Sequence, residues 1–232
     1  MVFLSIVIHP EDSLAKPQFD PTELPIDSIA GEAPVPAERL NADWLRARFA
    51  APPTWTPEPS DESWAPRLDP TPASVLVPLV QRARGLSLLL TMRTAHLNDH
   101  AGQIAFPGGR AEHFDADAVD TALRETEEEI GLHRRHIEVL GTLPLYQTGT
   151  GYSVTPVVAL VAPPFEMKAD PFEVAEIFEV PLAYVLDGAH HERRSMLLAG
   201  GRRTFYTMPY EQYFIWGATA GMLRNLFHFL RA

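Results

Sequence analysis

Glu125, Glu128 and Glu129 are the residues of this 232-residue chain whose types and spacing could do chemistry. They stand in the run Arg124-Glu125-Thr126-Glu127-Glu128-Glu129-Ile130-Gly131-Leu132. At about 100° per helical residue, setting Glu125 at 0° puts Glu129 near about 40° and Glu128 near about −60°. The three carboxylates then share one narrow face, and Glu127 points away. Like charges one turn apart cost about 0.2–0.5 kcal/mol per pair, and Arg124 offsets part of this by reaching Glu128 at i,i+4. A hard divalent cation is the usual compensation, because carboxylate oxygens suit Mg²⁺, Mn²⁺ or Ca²⁺. The plain alternative is a solvated acidic helix face. A calcium-binding loop of the EF-hand type is not written in the sequence.

The elements that must position these side chains can be read around them. Phe106-Pro107-Gly108-Gly109 is a turn just ahead of the helix, and Gly131 is placed to end it. Upstream, Ala73–Val80 and Leu86–Met92 are apolar and strand-like. The polar residues 81–85 between them predict a hairpin. Pro78 predicts an edge or bulge position. Ile137–Pro144 and Tyr152–Ala162 read as further strands, and Glu192–Pro209 as a second hairpin turning at Gly200-Gly201. A last helix is predicted over Ala218–Leu230, with Met222, Leu223, Leu226, Phe227 and Leu230 as its core stripe. Strand-like and helical runs that alternate in this way indicate an α/β chain.

Residues 1–72 differ in texture, holding thirteen of the 22 prolines. We read them as an N-terminal extension that wraps or flanks a main domain of residues 73–232. Val2–Ile8 reads either as a strand or docking arm or as a disordered, sticky end, and Ala37–Phe49 as one helix. A chain beginning near Pro70 is expected to fold. The net charge of −11 argues against nucleic acid or an anionic membrane as partner, and any anionic substrate then needs local cations. The absence of cysteine excludes disulfides and thiolate-bound metal. No stretch reads as a membrane span or a secretory leader, so a cytoplasmic location is expected.

The glutamate run and its turn resemble the Nudix box. That box reads Gly, five residues, Glu, seven residues, Arg-Glu-aliphatic, one residue, Glu-Glu, one residue, Gly-aliphatic. Its second half fits, apart from Thr126 at an aliphatic position. Its first half is one residue longer here, so the early Glu position falls on Ala116, between Asp115 and Asp117. The longer run LLTMRTAHLNDHAGQIAFPGGRAEHFDADAVDTALRETEEEIGL resembles the coenzyme A pyrophosphatase branch of the family. That branch combines a Leu-Thr-x-Arg strand, a His-x-Gly-Gln-x-x-Phe-Pro-Gly-Gly turn and a lengthened box. Glu112 stands where the branch usually has Asp. Ser153–Val158, Asp170–Leu182 and Ile215–Ala220 continue the likeness, which covers about Ala73 to Leu226.

The resemblance implies an α/β/α sandwich with a mixed sheet, and Mg²⁺ or Mn²⁺ as cofactor. The metal would be held by Glu125, Glu128 and Glu129, with Gly109 beside them. Many such enzymes draw a further carboxylate from the acidic segment. Glu173 and Glu176 are both candidates that spacing does not separate, and Glu176 is entered with the three glutamates as catalytic. Arg93, His100 and Gln103 would contact substrate. The implied reaction cleaves coenzyme A or its thioesters to 3′,5′-ADP and (acyl-)4′-phosphopantetheine. The alternatives are another dinucleotide such as ADP-ribose or NADH, or a binding module without catalysis, although such modules commonly lose box glutamates. The expected partners are a small nucleotide and a second copy in a homodimer. Arg193, Arg194, Arg202 and Arg203 are either solvated strand ends or a cationic patch for a phosphorylated nucleotide.

Overall fold

The computed structural model describes residues 20–58, 69–95, 102–198 and 201–232. Val2–Ile8 and His100 lie outside the described residues. In chain order the elements are β1 (Ile26–Ile29), α1 (Ala42–Ala50), β2 (Thr71–Arg82), β3 (Gly85–Arg93), β4 (Ile104–Ala105), β5 (Gly108–Arg110), α2 (Ala118–Ile130), β6 (Ile137–Thr142) and β7 (Tyr146–Gln147). They continue with β8 (Tyr152–Val161), β9 (Val174–Pro181), α3 (Leu182–Val185), β10 (Glu192–Leu198), β11 (Gly201–Tyr210), β12 (Tyr213–Trp216) and α4 (Gly217–Arg231).

The central sheet runs β9-β3-β2-β8-β6, with β2 and β8 parallel and the other pairs antiparallel. It is therefore mixed, as expected. β2 and β3 pair only over Leu79–Arg82 with Gly85–Leu88 and then splay apart. The inner edges of the splay are filled by β4 on β3 and β5 on β2, so the 106–107 turn spans the opening. This arrangement explains Pro78. Leu76 donates its N–H to Pro107 O across the opening. Pro78 has the same orientation two residues on, in the gap between the β5 and β3 ladders, where no donor is required. A central strand thus tolerates a proline that the sequence assigns to an edge or bulge. The β2–β3 turn is also tighter than expected, with the strands extending to Arg82 and Gly85.

Alternation along the strands sends two sets of side chains to opposite faces. Leu76, Val80, Leu89, Val157 and Val161 pack with Ala122 and Ile130 of α2 on one face. Val77, Leu79, Leu88, Leu90 and Val158 pack on the other with α4, α1 and α3. That second face also carries a four-stranded sheet, β1-β10-β11-β12, in which the predicted hairpin has the register Glu192↔Thr207 to Leu198↔Gly201. The result is an α/β/α sandwich with a small extra sheet on one side. No helix among the described residues is long and apolar enough to cross a membrane.

Residues 20–58, part of the expected N-terminal extension, wrap onto the main domain. Val35 and Leu45 are core residues at 3% and 0% exposure. β1 pairs with β10, Arg39 donates to Leu230 O and Arg231 O, and Arg48 donates to Phe229 O. The helix predicted over Ala37–Phe49 is broken in two. A short 3-10 turn covers Ala37–Arg39, and α1 begins after Asn41, whose side chain accepts Trp44 N–H at 2.9 Å.

The clasp between this strap and α4 is ionic. Arg224, 2% exposed, donates to Glu32 (2.7 Å) and Glu58 (2.9 Å), and Tyr206 donates its hydroxyl to Glu58 (3.0 Å). His191 completes the cluster. Val185 O can only accept and Arg224 can only donate, so His191 carries its proton on Nε2 and leaves Nδ1 bare. It must therefore be neutral. Burial pushes its pKa down to about 4, against the smaller opposing effect of the Val185 bond. For Glu58, burial alone would raise the pKa, but bonds from His228 and Arg224 more than offset this and take it to about 2.

Both groups bind protons more weakly folded than unfolded, so stability falls on acidification. The His191 share is present above its ordinary value of 6.5 and is lost as pH falls through about 4. The Glu58 share is lost between 4.5 and about 2. Arg224→Ala leaves two carboxylates without their partner and should cost about 3–5 kcal/mol in urea denaturation at pH 7. A chain beginning at Pro70 should fail to give a cooperative melting transition. A cooperative melt from that chain would show that the strap is dispensable.

Candidate active site

The site forms where the opened edge of β2 meets α2. Asp117 caps the helix by accepting Asp120 N–H at 2.9 Å, and Gly131 closes it in a left-handed conformation (φ 66°). Thr126, the polar residue in an aliphatic slot, is fully buried. Its hydroxyl is satisfied by Ala122 O one turn back, at 2.6 Å, so the slot remains usable.

The 108–109 turn is fitted to the glutamates. Gly108 donates its N–H to Glu129 Oε2 at 3.0 Å. Its φ is +151°, and an added Cβ would stand 2.4 Å from Ser74 O, so only glycine lets β5 lie on β2 here. A Cβ on Gly109 would stand 2.5 Å from the Glu125 carboxylate carbon. Glu129 is 5% exposed, and burial pushes its pKa up to about 8, despite the Gly108 N–H and the Arg93 charge. Burial also raises Glu125, against the opposing Arg124 bond. The charge of Glu173 raises both. Glu128 is 62% exposed and meets Arg124 at 3.1 Å, while Glu127 turns away to Arg134. The charges of Glu125, Glu128, Glu129 and Glu173 thus act in one acidic neighbourhood at the turn.

Arg124 organises them. It donates to Asp115 through Nε (2.7 Å) and Nη2 (2.8 Å), to Glu125 (2.8 Å) and to Arg110 O (3.2 Å). The bonds to Asp115 raise its pKa further, and hold Asp115 far below the usual carboxylate range. Asp115 also accepts Glu112 N–H and the Thr121 hydroxyl, and its side chain is 3% exposed. The lengthened turn therefore gives Arg124 an acid one position before Ala116. Sequence spacing placed Asp115 only as a neighbour of that position.

The other predicted residues fall as follows. Arg93, at the end of β3, brings Nη1 to 3.8 Å from Glu129, and its buried Nε has no hydrogen-bond partner among the described residues. The Arg93 N–H donates to Gln103 O, which ties the two predicted contacts together. Glu176 is not part of the cluster. It alternates with Phe178 and Val180 onto the α4 face, opposite α2, and accepts the Tyr213 hydroxyl at 2.6 Å. Glu173 reaches the cluster because an irregularity between Met92 and Arg93 shifts the β9 register there. The hairpin arginines are engaged structurally. Arg194 bonds Glu192, Arg202 bonds Ser195 and Asp27, Arg193 lies over Tyr206, and the Arg203 guanidinium abuts Gly149.

Among the described residues no three acidic or histidine side chains already converge as metal ligands. Glu125 and Glu128 lean to Arg124, and Glu129 leans to the Gly108 N–H. The donor set nevertheless fits a hard cation: clustered carboxylates, one raised by burial without a full counter-charge, around a glycine whose missing Cβ leaves room.

An α/β/α sandwich with a glycine turn set against such a helix defines a class of phosphoric-anhydride hydrolases. Comparison with known proteins names it. The family described as NUDIX domain matches residues 70–199, more than half of the chain. The protein named uncharacterized Nudix hydrolase NudL of Escherichia coli K12 is 44% identical over 154 residues, covering 66% of this chain and 80% of its own. The NudL of Shigella boydii serotype 18 matches to the same extent. A crystal structure of the C. elegans Ap4A hydrolase aligns over 48% of this chain and 80% of its own, at 22% identity and a TM-score of 0.41. The chain belongs to the NUDIX domain family and is a Nudix hydrolase, an enzyme acting on nucleoside diphosphate derivatives.

Asp115 acts on the glutamates through Arg124. Asp115→Asn should lower kcat/KM by about 10–100-fold, the range seen when a group that orients metal ligands is removed. Steady-state kinetics beside a melting curve would check this. Unchanged kinetics would show that Arg124 is held well enough by Glu125 and Glu128 alone.

Proposed function

We propose that the chain is a Mg²⁺- or Mn²⁺-dependent diphosphatase. It cleaves coenzyme A or its thioesters into 3′,5′-ADP and (acyl-)4′-phosphopantetheine. The observation that carries the diphosphate part is the seating of the Gly108–Gly109 turn on Glu129 and Glu125, with Arg93 beside it. The coenzyme A part is supported by the sequence block from His100 to Gly109.

In this reading Glu125, Glu128, Glu129 and the Gly109 carbonyl would hold the cation, which would supply charge neutralisation at the diphosphate and a more acidic attacking water. Arg124 keeps Glu125 and Glu128 oriented toward that position. Arg93, whose Nη1 stands 3.8 Å from Glu129, supplies local positive charge for a phosphate oxygen in a chain of net charge −11. Gln103 fixes the Arg93 backbone, and His100 is a substrate contact in the same block. Glu173 accepts the proton of the water, in place of Glu176.

Two measurements test this. With Mg²⁺, mass spectrometry of products from coenzyme A, an acyl-coenzyme A, ADP-ribose and NADH should give the highest kcat/KM for coenzyme A or its thioester. Preference for ADP-ribose would remove coenzyme A as the substrate while leaving the diphosphatase chemistry in place. Glu173→Gln should lower kcat by about 10²-fold or more with KM little changed, as loss of a general base does. Glu176→Gln should stay near wild type. The reverse pattern would return the role to Glu176.

A further inference from the structure

Glu173 stands just beyond the sheet that would otherwise hold it. The β3–β9 ladder runs from Ser87↔Pro181 to Met92↔Glu176 and ends at Arg93↔Val174, leaving Ala175 without a partner on β3. A bulge of this kind terminates regular pairing. Residues 172 and 173 lie outside the ladder, yet all four of their backbone polar groups are engaged, by Asp170 and Thr94. Asp170 takes both donors. Its Oδ1 accepts Phe172 N–H (2.8 Å) and its O accepts Glu173 N–H (3.1 Å). Thr94 takes both acceptors. Its hydroxyl donates to Phe172 O (2.8 Å) and its N–H to Glu173 O (3.0 Å). Each of the two is itself anchored. Asp170 donates its N–H to Glu129 O (2.8 Å) on the last turn of the glutamate helix. Thr94 follows Arg93 at the end of β3 and is 7% exposed. Its nearly buried hydroxyl is thus committed to the segment that presents Glu173.

We propose that Thr94 is a positioning residue for Glu173. Its hydroxyl and N–H hold the 172–173 backbone at a fixed offset from Arg93, so one strand end sets both the cation at the phosphate and the carboxylate at the water. The proposal rests on the reading of Glu173 as proton acceptor given above, and not on coenzyme A as the substrate. A general base must stand within about 2.6–3.2 Å of the atom whose proton it takes. A displacement of about 1 Å at such a centre costs about 10²-fold. The Thr94 N–H belongs to the backbone and survives a side-chain change, so losing the hydroxyl alone should loosen Glu173 without releasing it. Thr94→Val keeps the branched shape and removes that donor. Thr94→Ala removes it in a second way, and Thr94→Ser keeps it.

The test is steady-state kinetics of the full chain with Mg²⁺, using whichever of coenzyme A and ADP-ribose is turned over faster. The variants are Thr94→Val, Thr94→Ala, Thr94→Ser, Glu173→Gln and Thr94→Val combined with Glu173→Gln. Melting curves place the assay temperature below the transition of each. Thr94→Val and Thr94→Ala should lower kcat by about tenfold with KM within about twofold, and Thr94→Ser should stay within about threefold of wild type. In the Glu173→Gln background Thr94→Val should change kcat by less than about twofold, because the group it positions has already lost its function. A threonine that merely steadied the fold would lower the rate by the same factor in both backgrounds. With Glu173→Gln impaired, near-normal kcat in Thr94→Val, an equal loss in Thr94→Ser or an undiminished loss in the double variant would overturn the proposal alone. A fully active Glu173→Gln would instead remove the proton-acceptor reading, and the Thr94 proposal would fall with it.

Discussion

Glu129 keeps its carboxylate nearly out of water with one backbone donor, the Gly108 N–H, and an arginine at the longer distance of 3.8 Å. Such a group is costly to ionise, as its pKa of about 8 reflects. It is tolerated because much of the fold is arranged around it. β2 and β3 splay so that β5 can bring Gly108 to the helix, and that approach works only without a Cβ. The same opening places Arg93 on the inner side of β3. Glu125 and Glu129 then lie between a glycine turn, an arginine clamp and the Asp170–Glu173 turn, and Glu128 stays exposed beside them.

The opposite face of the sheet holds that arrangement in register. α4 reaches β4 through the Thr219 hydroxyl, which donates to Ile104 O at 3.0 Å, and β4 in turn leads into the Phe106–Gly109 turn. α4 is itself locked to the N-terminal strap by the Arg224 cluster, at the cost of burying an arginine among carboxylates. Neutral His191 belongs to the same cluster because its two ring nitrogens face one acceptor and one donor. A strap rich in proline can do this because it contributes side chains and one short helix, without long regular elements of its own.

Much of the site was legible in the sequence because helical periodicity is local. The spacing of Glu125, Glu128 and Glu129 and the glycines around them needed no tertiary information to be placed together. The class of fold was legible for the same reason, through alternation in the strands. What escaped depended on contacts between distant segments. Asp115 could be recognised as the partner of Arg124 only once the lengthened turn had a path. Glu173 enters the cluster through a register irregularity that no pattern announces. Glu176, by contrast, alternates with Phe178 and Val180, a pattern that places it on the α4 face. The strap looked dispensable because proline content reports on regular structure, whereas Val35, Leu45, Glu32 and Glu58 act by being buried or paired.

The central claim is that the glutamate face exists to carry a divalent cation. Glu128 tests it most directly, since it is exposed and its replacement should leave the apo fold nearly intact. The measurement is a melting curve with and without Mg²⁺, taken beside the rate, for wild type and Glu128→Gln. The account predicts an apo stability within about 1 kcal/mol of wild type, because lost repulsion and the lost Arg124 pair oppose each other. It also predicts a smaller Mg²⁺-induced shift and a rate lower by about 10²-fold or more. Near-normal turnover with an undiminished Mg²⁺ shift would contradict it and leave the three glutamates as a solvated helix face.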